Sequence, residues 1–68
     1  MKKIDELLNV FGGTRATARA LNTPSSTVNN WKINGLPAKL EVLDKIQKKL
    51  AKEGVFVTLD DLLRLKHD

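Results

Sequence analysis

Four polar side chains that could read a nucleic acid, Ser25, Ser26, Asn29 and Asn30, stand close together in the chain. On a helix these positions share one face, and Val28 and Trp31 share the other. Asparagine carries an acceptor and two donors on one amide, so it can accept from N6 of adenine and donate to N7 in the major groove. A good bidentate pair of that kind is worth about 1–3 kcal/mol of discrimination between bases. Ser25 and Ser26 fall in the first turn, where backbone N–H groups favour an anion. Around them Thr14, Arg15, Thr23, Lys32 and Asn34 offer hydroxyl, amide and cationic groups suited to phosphate oxygens. Phosphate contacts position a protein on a duplex without reading its sequence. This chemistry is recognition, with no bond made or broken.

Such a face must be carried on elements that hold it rigidly. The stretch Thr14–Ile33, TRATARALNTPSSTVNNWKI, reads as two short helices meeting at a tight turn. Ala18 is small enough, in mid-helix, for the second helix to cross closely. Leu21, Val28 and Trp31 are the apolar anchors. Asn22 suits the left-handed conformation that closes a helix. Thr23-Pro24 reads as an N-cap followed by proline at the first helical position. The expectation is a helix-turn-helix, whose second helix enters the DNA major groove. Trp31 fits core packing better than stacking on a base.

Charge agrees with that reading. The chain has 68 residues and a net charge of +4. Residues 14–36 carry Arg15, Arg19 and Lys32 and no acid at all, a plausible footprint for a polyanion. There is no Cys, so neither a disulfide nor a thiolate zinc site is expected. No metal or cofactor is expected either. No apolar run approaches the roughly 20 residues needed to span a membrane, so a cytoplasmic protein is the default. Gly12-Gly13-Thr14 lacks the lysine and spacing of a phosphate-binding loop. Asp60 and Asp61 read as charges at a helix start. No nucleophile–base pair is present, so the chain is not read as an enzyme. His67 reads as part of a frayed end.

The remaining elements follow from periodicity. Ile4, Leu7, Leu8 and Phe11 recur at helical spacing, and Gly12-Gly13 ends that helix. Leu36, Leu40, Leu43, Ile46 and Leu50, with Gln47 beside them, trace an amphipathic helix from about Pro37 to Lys52, stopped before Gly54. Lys45, Lys48, Lys49 and Lys52 crowd its last turns, where the dipole favours cations. Val55-Phe56-Val57 reads either as a linker plugging the core or as a brief edge strand. Thr58-Leu59-Asp60-Asp61 resembles a capping box and starts a last helix through Leu62, Leu63 and Leu65. The fold class is all-α, a single five-helix domain over residues 1–68 with little or no sheet. Residues 55–68 offer more apolar groups (Val55, Phe56, Val57, Leu65) than one small core needs, and so a surface for dimerisation.

The run Phe11-Gly12-Gly13-Thr14-Arg15-Ala16-Thr17-Ala18-Arg19-Ala20-Leu21, followed by Val28-x-x-Trp31-Lys32, resembles the Cro repressors of lambdoid phages, most of all their all-helical branch. The downstream Leu36-Pro37-Ala38 and the later Gly54 to Leu63 segment are similar as well, so the resemblance covers most of the chain, strongest over residues 11–40 and weak beyond Lys45. It implies a lambda-repressor-like DNA-binding domain with the helix-turn-helix in helices 2 and 3. It also implies a homodimer on a short palindromic operator, repressing by occluding a promoter in a bacterial host. Base contacts would then come from Ser25, Ser26, Asn29 and Asn30. Two positions depart from the family: Asn22 stands where it usually has Gly, and Thr17 where it usually has an aliphatic residue. The second puts a hydroxyl near the core, to be bonded back to a helix carbonyl. A phage activator or an antitoxin of the same fold is the rival within this class. A protein-interaction module without DNA binding is the rival outside it.

Overall fold

In the computed structural model, which describes residues 1–67, the chain forms five helices: α1 (Ile4–Phe11), α2 (Thr14–Ala20), α3 (Ser25–Asn34), α4 (Leu40–Lys52) and α5 (Leu59–Leu63). Among the described residues there is no strand, only one isolated parallel bridge between Lys3 and Lys66. Helix α2 packs on both α1 and α3, α1 touches α3, and α4 packs on α5. One cluster of buried side chains unites them: Ile4, Leu7 and Leu8 from α1, Ala18 and Leu21, Val28 and Trp31, then Leu43, Ile46 and Leu50 from α4, with Leu62 and Leu65. Most of these positions follow helical spacing, so each helix turns one apolar stripe inward.

The helix ends follow from backbone chemistry. Helix α1 closes where the Gly13 N–H donates to Leu8 O at 2.9 Å. Gly13 itself has φ 114° and ψ −176°, a conformation essentially reserved for glycine. Helix α2 closes on Asn22, whose φ of 52° makes it the one non-glycine residue with positive φ among the described residues. The Thr23 N–H then returns to Ala18 O at 2.9 Å. This is the left-handed closure expected for Asn22.

Four expectations are corrected. Thr23 does not cap α3: the helix starts at Ser25, Pro24 occupies the N-cap in extended conformation, and no side chain caps it. The first carbonyl of the helix ladder is that of Pro24, which accepts from Thr27 N–H at 3.0 Å, so Thr23 lies one residue ahead of the N-cap, with its own N–H closing α2. Helix α4 starts at Leu40, three residues later than the Pro37 expected. Leu36 and Val42 pack on the core, while Leu40 is left 69% exposed. The third correction concerns the surface expected from residues 55–65. Of the four apolar groups named for it, Leu65 is buried and Val55 and Val57 are half-buried, which leaves Phe56, 82% exposed, as the one turned outward, with Leu63 of α5 also half exposed. The segment 55–57 is a plug and not a strand, and the Gln47 Nε2 amide ties it down by donating to Val57 O at 2.8 Å.

The fourth correction is His67. It is no frayed end. The Lys66 N–H donates to Lys2 O at 2.9 Å, and the Ile4 N–H donates to Lys66 O at 3.0 Å. The His67 ring then reaches the end of α3, where Nδ1–H donates to Ile33 O at 2.8 Å. A carbonyl in the last turn of a helix has no partner within the helix, which is why a distant ring N–H finds a place there. The ring lies so close to Gly35 that a Cβ on that residue would meet His67 Cδ2 at 2.9 Å.

Helix α5 is only five residues long, and its start carries a full capping box. Asp61 N–H donates to Thr58 Oγ1, and Thr58 N–H donates to an Asp61 carboxylate oxygen, both at 3.0 Å. These bonds favour the charged carboxylate and hold the Asp61 pKa below its ordinary value.

Candidate nucleic-acid interface

Helix α3 is held from behind by two side chains. Val28 is fully buried and Trp31 is 4% exposed. Its partner α2 presents Ala18, buried and small, and Thr17, whose hydroxyl is fully buried. Burying a hydroxyl is costly unless it is bonded. Thr17 Oγ1 donates to Gly13 O at 2.7 Å and lies 3.3 Å from Leu8 O, so it ties the start of α2 to the end of α1. That is the back-bonding expected for this departure.

With Val28 and Trp31 turned inward, the opposite face of α3 is solvent-exposed. Ser25, Ser26, Asn29 and Asn30 are all exposed, and helical spacing brings them onto one side. Asn30 does not stand alone. Asn34 Nδ2 donates to Asn30 Oδ1 at 2.6 Å, a turn away on the same helix. The bond restrains both amides and leaves the Asn30 N–H groups uncommitted by it.

Beside the N-terminus of α3 lies an open basin of about 830 Å³, walled by Arg15, Arg19, Asn22, Thr23 and Ser25 with no acidic side chain. Two guanidinium groups and several hydrogen-bond donors thus meet at the mouth of the turn, a place matched to phosphate geometry. Thr14 begins α2, half-buried, outside this basin. Lys32 lies near the other end of α3, with Nζ 4.0 Å from Asp5 Oδ1. Both groups are substantially exposed, so that pair contributes little and leaves the ammonium able to exchange partners.

The structure therefore brings Ser25, Ser26, Asn29 and Asn30 onto one face and joins Arg15 and Thr23 to Ser25 in one basin. It places Thr14, Lys32 and Asn34 outside that basin, with the Asn34 amide bonded to Asn30. One residue was missed in the sequence, Ile33, and a second, Arg19, was counted in the basic footprint but not among the phosphate contacts. Arg19 follows Arg15 by one helical turn, and that i,i+4 spacing was the signal. Ile33, 62% exposed, lies on the same outward side of α3 as Ser26, Asn29 and Asn30, at spacings of seven, four and three. An isoleucine is ordinarily taken for core, which hid it.

Among the described residues no group of three or more His, Cys, Asp or Glu could hold a metal ion, and no helix is long and apolar enough to cross a membrane. Compared with protein-family models, with curated proteins and with solved structures, the chain finds no match.

Proposed function

We propose that the chain is a sequence-specific double-stranded DNA-binding regulator, a transcriptional repressor of Cro type acting in the cytoplasm of a bacterial host. In this reading α2 and α3 form a helix-turn-helix, and α3 enters the major groove. Ser25, Ser26, Asn29 and Asn30 meet base edges. Arg15, with Thr14, Thr23, Lys32 and Asn34, meets phosphates, and Arg19 joins them. One observation carries the proposal: a helix anchored by Val28 and Trp31 turns an uncharged, hydrogen-bonding face outward, directly beside an acid-free arginine basin. The protein binds a short palindrome as a homodimer, with half-sites about one helical turn, near 34 Å, apart. Phe56 is the apolar group best exposed for the dimer contact.

Selection of bound duplexes from a random pool tests this reading. The expected product is a palindrome of two short half-sites spaced by about 10 base pairs. A pool that shows no enrichment overturns it. Whether the protein represses or activates follows from where that palindrome lies relative to a promoter, and an adjacent toxin gene would mark an antitoxin. A second reading, a protein-interaction module, draws on the exposed Phe56 and Leu40. It differs in its consequence: no salt-sensitive affinity for DNA at all.

A further inference from the structure

We infer that Ile33 is a specificity-determining residue that packs against the 5-methyl group of a thymine in each half-site. The inference rests on the proposed placement of α3 in the major groove.

Ile33 is 62% exposed, so the fold of this chain gives most of its side chain nothing to touch. It lies opposite Val28 and Trp31, and no rotation of α3 that keeps those two buried brings it inward. It is also among the best-supported residues of the helix end. Its carbonyl accepts from the His67 ring at 2.8 Å, and the same ring abuts Gly35. The neighbouring Asn30–Asn34 bond at 2.6 Å fixes the amides beside it. Isoleucine is stiff at χ1, so presenting it costs little further entropy. The result is a rigid apolar knob set among hydrogen-bonding groups.

Charge chooses its occupant. Residues 14–36 contain Arg15, Arg19 and Lys32 and no acid. A second copy of this face would bring like charges together, whereas a polyanion is drawn to it. Within a major groove, the thymine methyl is the one apolar group among the base-edge donors and acceptors. An asparagine matched to adenine beside an isoleucine matched to thymine makes a compact reader of A·T pairs.

The test uses the duplex recovered by selection. Each thymine is replaced in turn by deoxyuridine, which removes only the methyl group, and affinity is measured for the wild-type chain, Ile33→Ala and Ile33→Val. The expected result is one thymine per half-site whose replacement weakens wild-type binding about fourfold, the worth of one methyl-sized apolar group. Ile33→Ala should bind the thymine and uracil duplexes equally, and Ile33→Val should keep the preference. Wild-type protein indifferent to every replacement overturns the inference, as does an unchanged thymine preference in Ile33→Ala. So does an Ile33→Ala variant that changes oligomeric state and nothing else. The uracil scan of the wild-type protein needs no variant to fold. Failure of the selection itself would remove the DNA-binding reading and this inference with it. A successful selection with no uracil-sensitive position would remove this inference alone.

Discussion

The connection between α2 and α3 and the connection between α4 and α5 begin alike and end differently. Each preceding helix stops at a residue of positive φ, Asn22 at 52° and Gly54 at 80°. In each the next N–H returns to a carbonyl five residues back, Thr23 to Ala18 and Val55 to Leu50, both at 2.9 Å. Beyond that point they diverge. Helix α5 starts with Thr58 and Asp61 bonded reciprocally, so side chains satisfy its first donors. Helix α3 starts at Pro24 with no side-chain cap. The difference is intelligible from what holds each helix. A five-residue helix with one fully buried side chain, Leu62, has few other bonds to hold its start, and its cap supplies them. A ten-residue helix anchored by Val28 and Trp31 needs no such cap, and its N-terminus can stay uncovered beside Arg15 and Arg19.

If that contrast is right, the two helices should fail in different ways. The largest effect belongs to Trp31→Ala, which removes a buried aromatic anchor and should cost about 3–5 kcal/mol in denaturant unfolding, enough to unfold so small a domain. A loss near that of a surface substitution would mean that α3 is held by something other than its inward side. Next come two substitutions on the exposed surfaces of α2 and α3. Asn30→Ala should lose about 1–3 kcal/mol on the preferred duplex and relax the preference at one base pair per half-site. Arg15→Ala should weaken binding to all duplexes alike and lower the slope of log affinity against log salt by about 1. Equal behaviour of the two variants on selected and random DNA would erase the distinction between reading and positioning residues. The smallest effect is at α5, where Thr58→Ala should cost about 1 kcal/mol with DNA affinity unchanged. The same cap carries a pH signature. Because folding lowers the Asp61 pKa, its contribution to stability is present above the unfolded pKa and is lost as pH falls through the folded one. Asp61→Asn should therefore flatten part of the acid limb of a stability–pH curve, and an unaltered limb would show that the carboxylate adds nothing.

The parts of the fold that were legible in the sequence are those fixed by near neighbours. Apolar spacing located α1 and the stripe Leu43, Ile46, Leu50 of α4. The Asn22 closure, the Thr17 back-bond and the Thr58–Asp61 box were each readable within a few residues. What was not legible depends on competition or on distance. Thr23 looked like a cap because its hydroxyl has a cap's chemistry, but α3 begins one residue later than expected, so Pro24 holds the N-cap position. Leu40 continued the spacing of α4 but is its exposed first residue, while Leu36 ahead of the helix and Val42 within its first turn reach the core instead. The His67–Ile33 bond spans 34 residues and leaves no periodic trace. At the candidate site, the uncharged residues of α3 were legible as a face once Val28 and Trp31 were turned inward. Arg19 was legible as charge and, through its spacing from Arg15, as a neighbour in the same basin, whereas Ile33 was not legible, because hydrophobicity alone does not say which way a side chain points.

The pairing of Lys66 with Lys2 and Ile4 gives the molecule a mechanical order of failure. Tension applied to the two ends would load that backbone pairing, two bonds of 2.9 and 3.0 Å, before any buried side chain. Once it parts, the His67 ring is drawn away from α3, and the last turn beneath Ile33 loses its brace while the helices are still packed. The end of α3 would thus loosen before the core gives way.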